Sequence, residues 1–338
     1  MARSLTSRVL RICIPQHRRP KLFCGRRYSS SHHSDLSNNL SALLVQPQWQ
    51  GEGGAHAVGI SRGCNILASV FSDLLPSSAR RVDVPVECPR ARAHSLLTNQ
   101  VWWHEDLVKQ TRSSLSCLDD VQPGQVFAAG GDCSVDLAPC GWLLERYGGD
   151  IAVLSLDAHA DLNVAGESPS GHFHGMWLRA LLGDAPTGLS PRRRLVPSQL
   201  VYAGLRELDP SEADCMARWG IQSLSPAALE GTLGSTTLCK FFSSTGCSRL
   251  HVHLDLDVLD PSVFPHVSVP SPGGLGVNQL GRILRDARTC LPVVGLTVTE
   301  LRIDDARDDD FCRDVLLHLL GPQGIDVSAC VLTHRHSV

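Results

Sequence analysis

Short apolar runs alternate with longer segments of helical periodicity along most of the chain. Strand-like runs are found at 41–46, 82–86, 126–130, 151–156, 200–205, 250–254, 293–297 and 325–332. Apolar positions recur at helical spacing in 64–75, 135–147, 176–181, 279–291 and 311–320. This alternation is typical of an α/β fold, in which helices cover a mainly parallel sheet.

The run at 151–156 is the most informative strand because of the residues that follow it. It is short and rich in Ile, Val and Leu, which favours a buried parallel strand over a helix. Asp157, His159 and Asp161 come directly after it at two-residue spacing. In extended backbone, residues i, i+2 and i+4 point to the same side, so two carboxylates and an imidazole converge.

Two further strands end in residues of the same kind. The run at 250–254 is followed by Asp255 and Asp257, and the run at 126–130 leads through a Gly-Gly turn to Asp132 and Cys133. Sites in open α/β sheets lie at the carboxyl ends of the strands, so one pocket is predicted. Converging carboxylates repel each other without a counter-ion, and four of them suffice for two divalent cations. Asp132 is predicted to be a structural hydrogen-bond acceptor.

Simpler interpretations exist for each piece taken alone. An Asp-x-Asp pair after a strand commonly caps a helix or forms a turn. The segment DLDVLDP lacks the glycine and the closing Glu of an EF-hand loop. The glycine-rich loop at 50–59 has neither the P-loop lysine nor the dinucleotide-binding spacing, so it is predicted to be a turn. Two such strand ends in one chain nevertheless favour a metal site.

Five sequence blocks carry a resemblance to a known family. GGDCS, DAHADLN, SPSGHFHG, GLRELDPSE and HLDLDVLDPS occur in this order within about 126–300. Together they resemble the signature blocks of the arginase/agmatinase (ureohydrolase) family. The resemblance implies a three-layer α/β/α sandwich and a binuclear manganese centre that hydrolyses guanidino groups to urea and an amine. It also implies a homo-oligomer, a trimer or a hexamer.

The resemblance assigns roles to individual residues. The implied metal ligands are Cys133, Asp157, His159, Asp161, Asp255 and Asp257. Asp161 would also orient the nucleophile, and His174 would transfer protons, for which a near-neutral pKa is suited. Glu300 would pair with the planar guanidinium of the substrate. The simpler interpretations are a loop histidine for His174 and a surface carboxylate for Glu300.

Substrate choice depends on the other end of the ligand. In arginases an Asn and hydroxyl groups hold the α-carboxylate, and acidic residues meet the α-amino group. The matching positions are Asn163, Ser168, Ser170, Asp209 and Glu212. An amine without the carboxylate would leave buried donors unpaired, at about 1–3 kcal/mol each. The resemblance therefore favours L-arginine, with agmatine or guanidinobutyrate as alternative substrates.

Two positions depart from the family pattern. Cys133 stands where the family has a ligand histidine, and His172 stands where it has an asparagine. Thiolate is a soft ligand that favours zinc, iron or nickel over manganese. Cys133 therefore ligates another metal, leaves one site weak, or is a small buried residue. His172 offers a further ligand or changes how the substrate carboxylate is held. A catalytically weak homologue that acts as a binding or regulatory subunit is the alternative outside the enzyme class.

The amino-terminal residues 1–34 differ in composition from the rest. They contain eight of the 31 Lys and Arg residues, several Ser and no Asp or Glu, which resembles a transit peptide without stable structure. This predicts the mitochondrial matrix, with a plastid or the cytoplasm as alternatives. The other 23 basic residues face 34 acidic ones, which argues against a nucleic-acid partner.

Composition bounds the rest of the chain. Residues 35–338 are predicted to form a single domain, since 338 residues with 43% hydrophobic content bury a large core. No apolar run approaches the roughly 18 residues of a membrane span. The 13 cysteines include no C-x2-C pair, and a matrix location is reducing, so most are predicted to be free thiols.

Overall fold

The computed structural model of the protein describes residues 40–87, 97–229 and 231–331. The predicted transit peptide lies outside these residues. The strands are β1 (Ser41–Gln46), β2 (Arg80–Asp83), β3 (Leu97–Thr98), β4 (Val101–Trp102), β5 (Gln125–Gly130), β6 (Ala152–Leu156), β7 (Leu200–Ala203), β8 (Gln222–Leu224), β9 (Leu250–Asp255) and β10 (Val293–Thr299). The helices are α1 (Ala57–Leu74), α2 (His104–Val121), α3 (Leu137–Arg146), α4 (Trp177–Leu182), α5 (Pro210–Trp219), α6 (Gly231–Thr245), α7 (Val277–Cys290), α8 (Asp309–Leu320) and α9 (Val327–Cys330).

Within the described residues, eight parallel strands form the central sheet in the order β2-β1-β5-β10-β9-β6-β7-β8, and β3 and β4 form a separate antiparallel pair. The three central strands β10, β9 and β6 are buried along their whole length. Their carboxyl ends lie level with one another, since Leu254 pairs with Leu156 and Asp255 with Thr299. The residues that follow these strands are therefore neighbours in space.

Helices cover both faces of the sheet and complete three layers. The core on one face contains side chains from α1, α6, α7 and α8, and the core on the other contains side chains from α2, α3, α4 and α5. Alternate residues of a strand point to opposite faces. On β9, Leu250, Val252 and Leu254 belong to the first core, while His251 and His253 point to the second face. The predicted α/β/α sandwich is confirmed.

Several element boundaries differ from the predictions. The strand predicted at 325–332 is wrong for its described part, because Val327–Cys330 forms the short helix α9. The side chain of Asp326 accepts a hydrogen bond from the backbone N–H of Ala329 and so favours a helical turn. Helices α5 and α6 were not predicted, and α5 buries only two apolar residues, Cys215 and Met216.

Most cysteines within the described residues are free, as predicted. Eight of the described cysteines are free thiols. Cys239 of α6 and Cys290 of α7 form a disulfide, 51 residues apart in sequence. No spacing pattern in the sequence indicates this pair, because the contact arises only when α6 and α7 pack side by side. No described helix has both the length and the hydrophobicity of a bilayer-spanning segment.

Candidate functional site

The carboxyl end of β6 delivers the first set of polar side chains. Asp157 is fully buried, and its Oδ1 accepts a hydrogen bond from the backbone N–H of His159 at 2.7 Å. Asp161 adopts a left-handed backbone with φ of 53°. A residue with a side chain in that conformation is strained by about 1–3 kcal/mol, a feature that clusters at functional sites.

The carboxyl end of β9 delivers the second set. Asp255 is the last residue of the strand, and its Oδ1 accepts a hydrogen bond from the backbone N–H of Asp257 at 2.7 Å. Asp257 in turn lies against the first set, because its Oδ2 is 2.9 Å from Nδ1 of His159 and its Oδ1 accepts from the N–H of Ala158 at 3.0 Å. The two strand ends therefore meet directly.

Potential ligand atoms in this region fall into three overlapping groups. Within each group the atoms lie within 4.8 Å of one another. The groups are Cys133 with Asp157, Asp161 and His253; Cys133 with Asp255 and Glu300; and Asp157 with His159 and Asp257. All six sequence-predicted ligands are included, and shared members link the groups into one cluster.

Cys133 lies at the centre of this cluster. Its side chain is buried, its Sγ donates to Asp255 Oδ2 at 2.8 Å, and its backbone N–H donates to Glu300 Oε1 at 3.1 Å. Burial and the charge of Asp255 raise the pKa of the thiol well above its usual range. A bound cation would reverse this effect, because it favours thiolate over thiol.

The electrostatics of the cluster fit a cation. Burial and neighbouring carboxylates raise the pKa of Asp157, Asp161 and Asp255 well above the ordinary range. Although burial also favours neutral Asp257, the hydrogen bond from His159 lowers the pKa of that carboxyl. Asp157 Oδ2 is buried without a hydrogen-bond partner among the described residues. Carboxyl groups of this kind, gathered in one place and with lone pairs free to bind, match the oxygen ligands that divalent ions require.

His174 and Glu300 form a pair beside the cluster. Nδ1 of His174 lies 3.4 Å from Oε1 of Glu300, while Oε2 of Glu300 is buried without a described partner. Burial alone would lower the pKa of His174, but Glu300 raises it to about 9. Glu300 has a left-handed backbone with φ of 63°, so two of the predicted catalytic residues are strained.

A cavity of about 400 Å³ opens onto these groups. Asn163, Ser170, Asp209 and Glu212 are part of its wall, as are His174 and Glu300. Asn163 Nδ2 donates to Asp209 Oδ2 at 2.8 Å. Both oxygens of Glu212 accept backbone hydrogen bonds, from Leu162 and from Asp209, each at 2.9 Å.

Three residues named in the sequence analysis, Ser168, His172 and Asp132, lie outside the three ligand groups. The hydroxyl of Ser168 accepts a hydrogen bond from the N–H of Gly171, and this residue is not part of the cavity wall. His172 is part of the wall but belongs to none of the three ligand groups. Asp132 accepts hydrogen bonds from Ser134, Gly51 and Gln48, as expected of a structural carboxylate.

The sequence patterns did not identify two residues of the site, Glu52 and His253. Glu52 belongs to the glycine-rich loop that was predicted only as a turn, yet it lines the cavity with one buried, unpartnered oxygen. Burial and Glu300 raise its pKa to about 8. His253 belongs to the first ligand group. A signal for it existed, because it stands two residues before Asp255 on the same strand face.

Comparison with known proteins gives a consistent result. The Arginase family model matches residues 82–308. The arginase of Coccidioides posadasii is 32% identical over 169 residues, which cover 46% of this chain and 52% of that protein. The chain spans about half the length of the curated relatives that it matches.

Solved structures share the fold at lower identity. The arginase of Entamoeba histolytica in complex with L-ornithine has a TM-score of 0.73 and 17% identity, over 84% of this chain and 98% of that one. The arginase of Bacillus caldovelox has a TM-score of 0.70 and 23% identity, over 82% and 96% of the two chains.

Proposed function

The chain belongs to the arginase family, and we propose that it is a metal-dependent hydrolase that converts L-arginine to L-ornithine and urea. One observation carries this proposal. The carboxylates and the imidazole that follow β6 and β9 meet in overlapping groups of potential ligands, and several of these residues line a cavity with room for a small molecule. Such a cluster is costly to bury unless it binds cations.

Six residues would hold two divalent ions in this proposal. They are Cys133, Asp157, His159, Asp161, Asp255 and Asp257. When bound, a pair of divalent ions lowers the pKa of water, so that a nucleophile is available at neutral pH. Manganese is proposed from the family, with nickel, iron or zinc as alternatives because of the Cys133 thiol.

The residues of the chain itself would bind and orient the guanidinium. Glu300 Oε2 is buried without a described hydrogen-bond partner, so this oxygen is free to accept from the planar N–H groups. Asp161 is held in place, because its Oδ2 accepts from Trp177 Nε1 at 2.7 Å, and it would orient the attacking water. His174 would donate a proton to the departing amine, since Glu300 keeps the imidazole protonated near neutral pH.

The wall of the cavity supports an amino-acid substrate. Asn163 and Ser170 would donate hydrogen bonds to the α-carboxylate, with Ser168 acting through the loop that it holds. Asp209 would accept from the α-amino group, while Glu212 would fix the loop that carries Asp209. The Entamoeba histolytica relative was solved with L-ornithine, the product expected here.

Urea release from several guanidino compounds tests this proposal. Protein loaded with Mn²⁺ should hydrolyse L-arginine with a kcat/KM at least about tenfold above that for agmatine or 4-guanidinobutyrate, since one lost buried interaction of about 1.4 kcal/mol corresponds to tenfold. Preference for agmatine would contradict the proposed substrate. A metal-loaded protein that releases no urea from any of the three would contradict the hydrolase proposal itself.

Assembly and location are proposed from the family resemblance and from composition. The family resemblance supports a trimer or hexamer, which light scattering of the purified protein would test. The acid-free, basic composition of residues 1–34 supports import into the mitochondrial matrix, and a fluorescent fusion of the full chain would test that location.

A further inference from the structure

His253 occupies an unusual position on the central strand β9. Its side chain is fully buried. Its Nε2 lies 3.9 Å from Asp157 Oδ2. His253 also shares a group with Cys133, Asp157 and Asp161, in which the potential ligand atoms lie within 4.8 Å of one another. Neither this nitrogen nor Asp157 Oδ2 has a hydrogen-bond partner among the described residues. A buried nitrogen acceptor without a partner is unfavourable unless something electrophilic binds there.

A second carboxylate fixes the orientation of this imidazole. Nδ1 of His253 lies 3.0 Å from Oδ2 of Asp136, a fully buried residue directly before α3. Oδ1 of Asp136 accepts a hydrogen bond from Thr297 at 2.6 Å, so the carboxylate cannot rotate freely. An ionised carboxylate only accepts hydrogen bonds, so the ring proton must be on Nδ1. The lone pair of Nε2 is therefore directed toward the ligand group.

The arrangement differs from that of an ordinary core histidine. His251 contacts the same oxygen of Asp136 at 2.8 Å but belongs to none of the three ligand groups. In other proteins, a metal-binding histidine commonly has a carboxylate at the ring nitrogen that does not bind the metal. His253 has this arrangement, with Asp136 as the carboxylate.

We propose that His253 is a metal ligand, which supplies from β9 the imidazole that is missing at position 133, with Asp136 as its supporting carboxylate. The proposal deepens the proposed function and rests on it, because it concerns the same metal centre. One metal position then has nitrogen, thiol sulfur and carboxylate oxygen around it. Such a mixed set favours cobalt, zinc or iron over manganese.

Cobalt binding to the full-length protein tests this inference. Protein stripped with chelator and loaded with Co²⁺ should contain two equivalents per chain. Proton NMR should show two paramagnetically shifted, exchangeable ring N–H signals, one from His159 and one from His253. His253→Ala and His253→Gln should each retain one equivalent and lose one signal. His251→Gln is the matched control, because it removes the other imidazole that contacts Asp136, and it should retain both equivalents and both signals.

The outcomes separate this inference from the proposed function. Two equivalents of Co²⁺ in both His253 variants, with both signals unchanged, would overturn the inference even if urea is still formed. Loss of one equivalent only in the His253 variants would support it even if no guanidino compound is hydrolysed. Circular dichroism of the variants checks folding, and the two signals of the unmodified protein test the ligand without any substitution.

Discussion

At the scale of single residues, the site combines backbone strain with buried carboxyl oxygens that have no described hydrogen-bond partner. Asp161 and Glu300 both have positive φ without being glycine. Glu300 directly follows β10, and Asp161 lies in the loop after β6. Such a backbone is retained only where the surrounding structure enforces it. Here the strained turns bring both carboxylates to the ligand cluster.

Glu300→Gln should remove most of the activity while leaving the metal in place. The amide cannot form a charged pair with the guanidinium, and loss of a buried charge pair costs about 2–5 kcal/mol. We expect kcat/KM for L-arginine to fall at least about 30-fold. Steady-state urea release measures this change, and metal analysis of the same sample checks retention. Asp304→Asn, at an exposed carboxylate nearby, should have little effect.

Cys133→His should strengthen manganese binding. Imidazole is a harder ligand than thiolate and suits manganese better. Elemental analysis after dialysis against a weak chelator should then find more Mn²⁺ per chain than in the unmodified protein. Unchanged retention would mean that Cys133 does not contact the metal. Cys140→Ser, at another buried free thiol, is the control for general effects of removing a cysteine.

At the scale of elements, close packing between β9 and β10 holds the histidines of β9. Gly295 of β10 faces His251, and a Cβ at this position would lie 2.1 Å from His251 Nδ1 and 2.7 Å from a methyl group of Leu143. The space for the imidazole therefore exists because β10 has no side chain there. The sheet therefore provides the space for a histidine that contacts Asp136.

Gly295→Ala should destabilise the fold. Overpacking of a buried contact costs about 1–3 kcal/mol, and both neighbours of the added methyl group are buried. Urea denaturation followed by circular dichroism measures the free energy of unfolding. Gly54→Ala is a suitable control, because its added Cβ would have a single contact, with Trp49 at 3.9 Å. Equal stability of the two variants would show that β10 adapts without cost.

At the scale of the whole molecule, stability depends on how buried carboxyl groups are neutralised. Raised pKa values mean that the folded protein without metal binds more protons than the unfolded chain. Metal binding replaces those protons with a cation. A bound ligand also stabilises the folded state by mass action, at about 2.7 kcal/mol for a concentration 100 times its Kd.

Metal-stripped protein should therefore lose stability as the pH rises. For Glu52 the pKa increases from 4.5 to about 8 on folding, so its contribution is lost progressively between these values. The raised pKa of Asp157, Asp161 and Asp255 acts in the same direction. Calorimetry between pH 5 and pH 8 should show a falling Tm that added Mn²⁺ restores.

Glu52→Gln isolates one part of this dependence. The variant has no carboxyl group to ionise at position 52, so its Tm without metal should fall less steeply over the same pH range. Glu167→Gln, at an exposed carboxyl group, should follow the unmodified protein. A parallel decrease in all three proteins would mean that Glu52 does not contribute.

The sequence alone determined the α/β class, the central strands and the position of the predicted ligands. Apolar runs of strand length are a local property, and residues that follow parallel strands must gather at one sheet edge. Asp157 and Asp255 could therefore be placed together without coordinates. Helices α5 and α6 were not predicted; α5 buries only Cys215 and Met216 among its apolar residues, so few apolar positions mark it in the sequence.

Only the tertiary structure decided which further groups join the centre. His253 and Asp136 are 117 residues apart, and their contact depends on where the turn before α3 lies relative to β9. Glu52 reaches the cavity because the loop after β1 lies beside the end of β5, where Gly51 donates to Asp132. Long-range contacts of this kind leave no periodic trace in the chain, because each depends on the packing of elements that are distant in sequence.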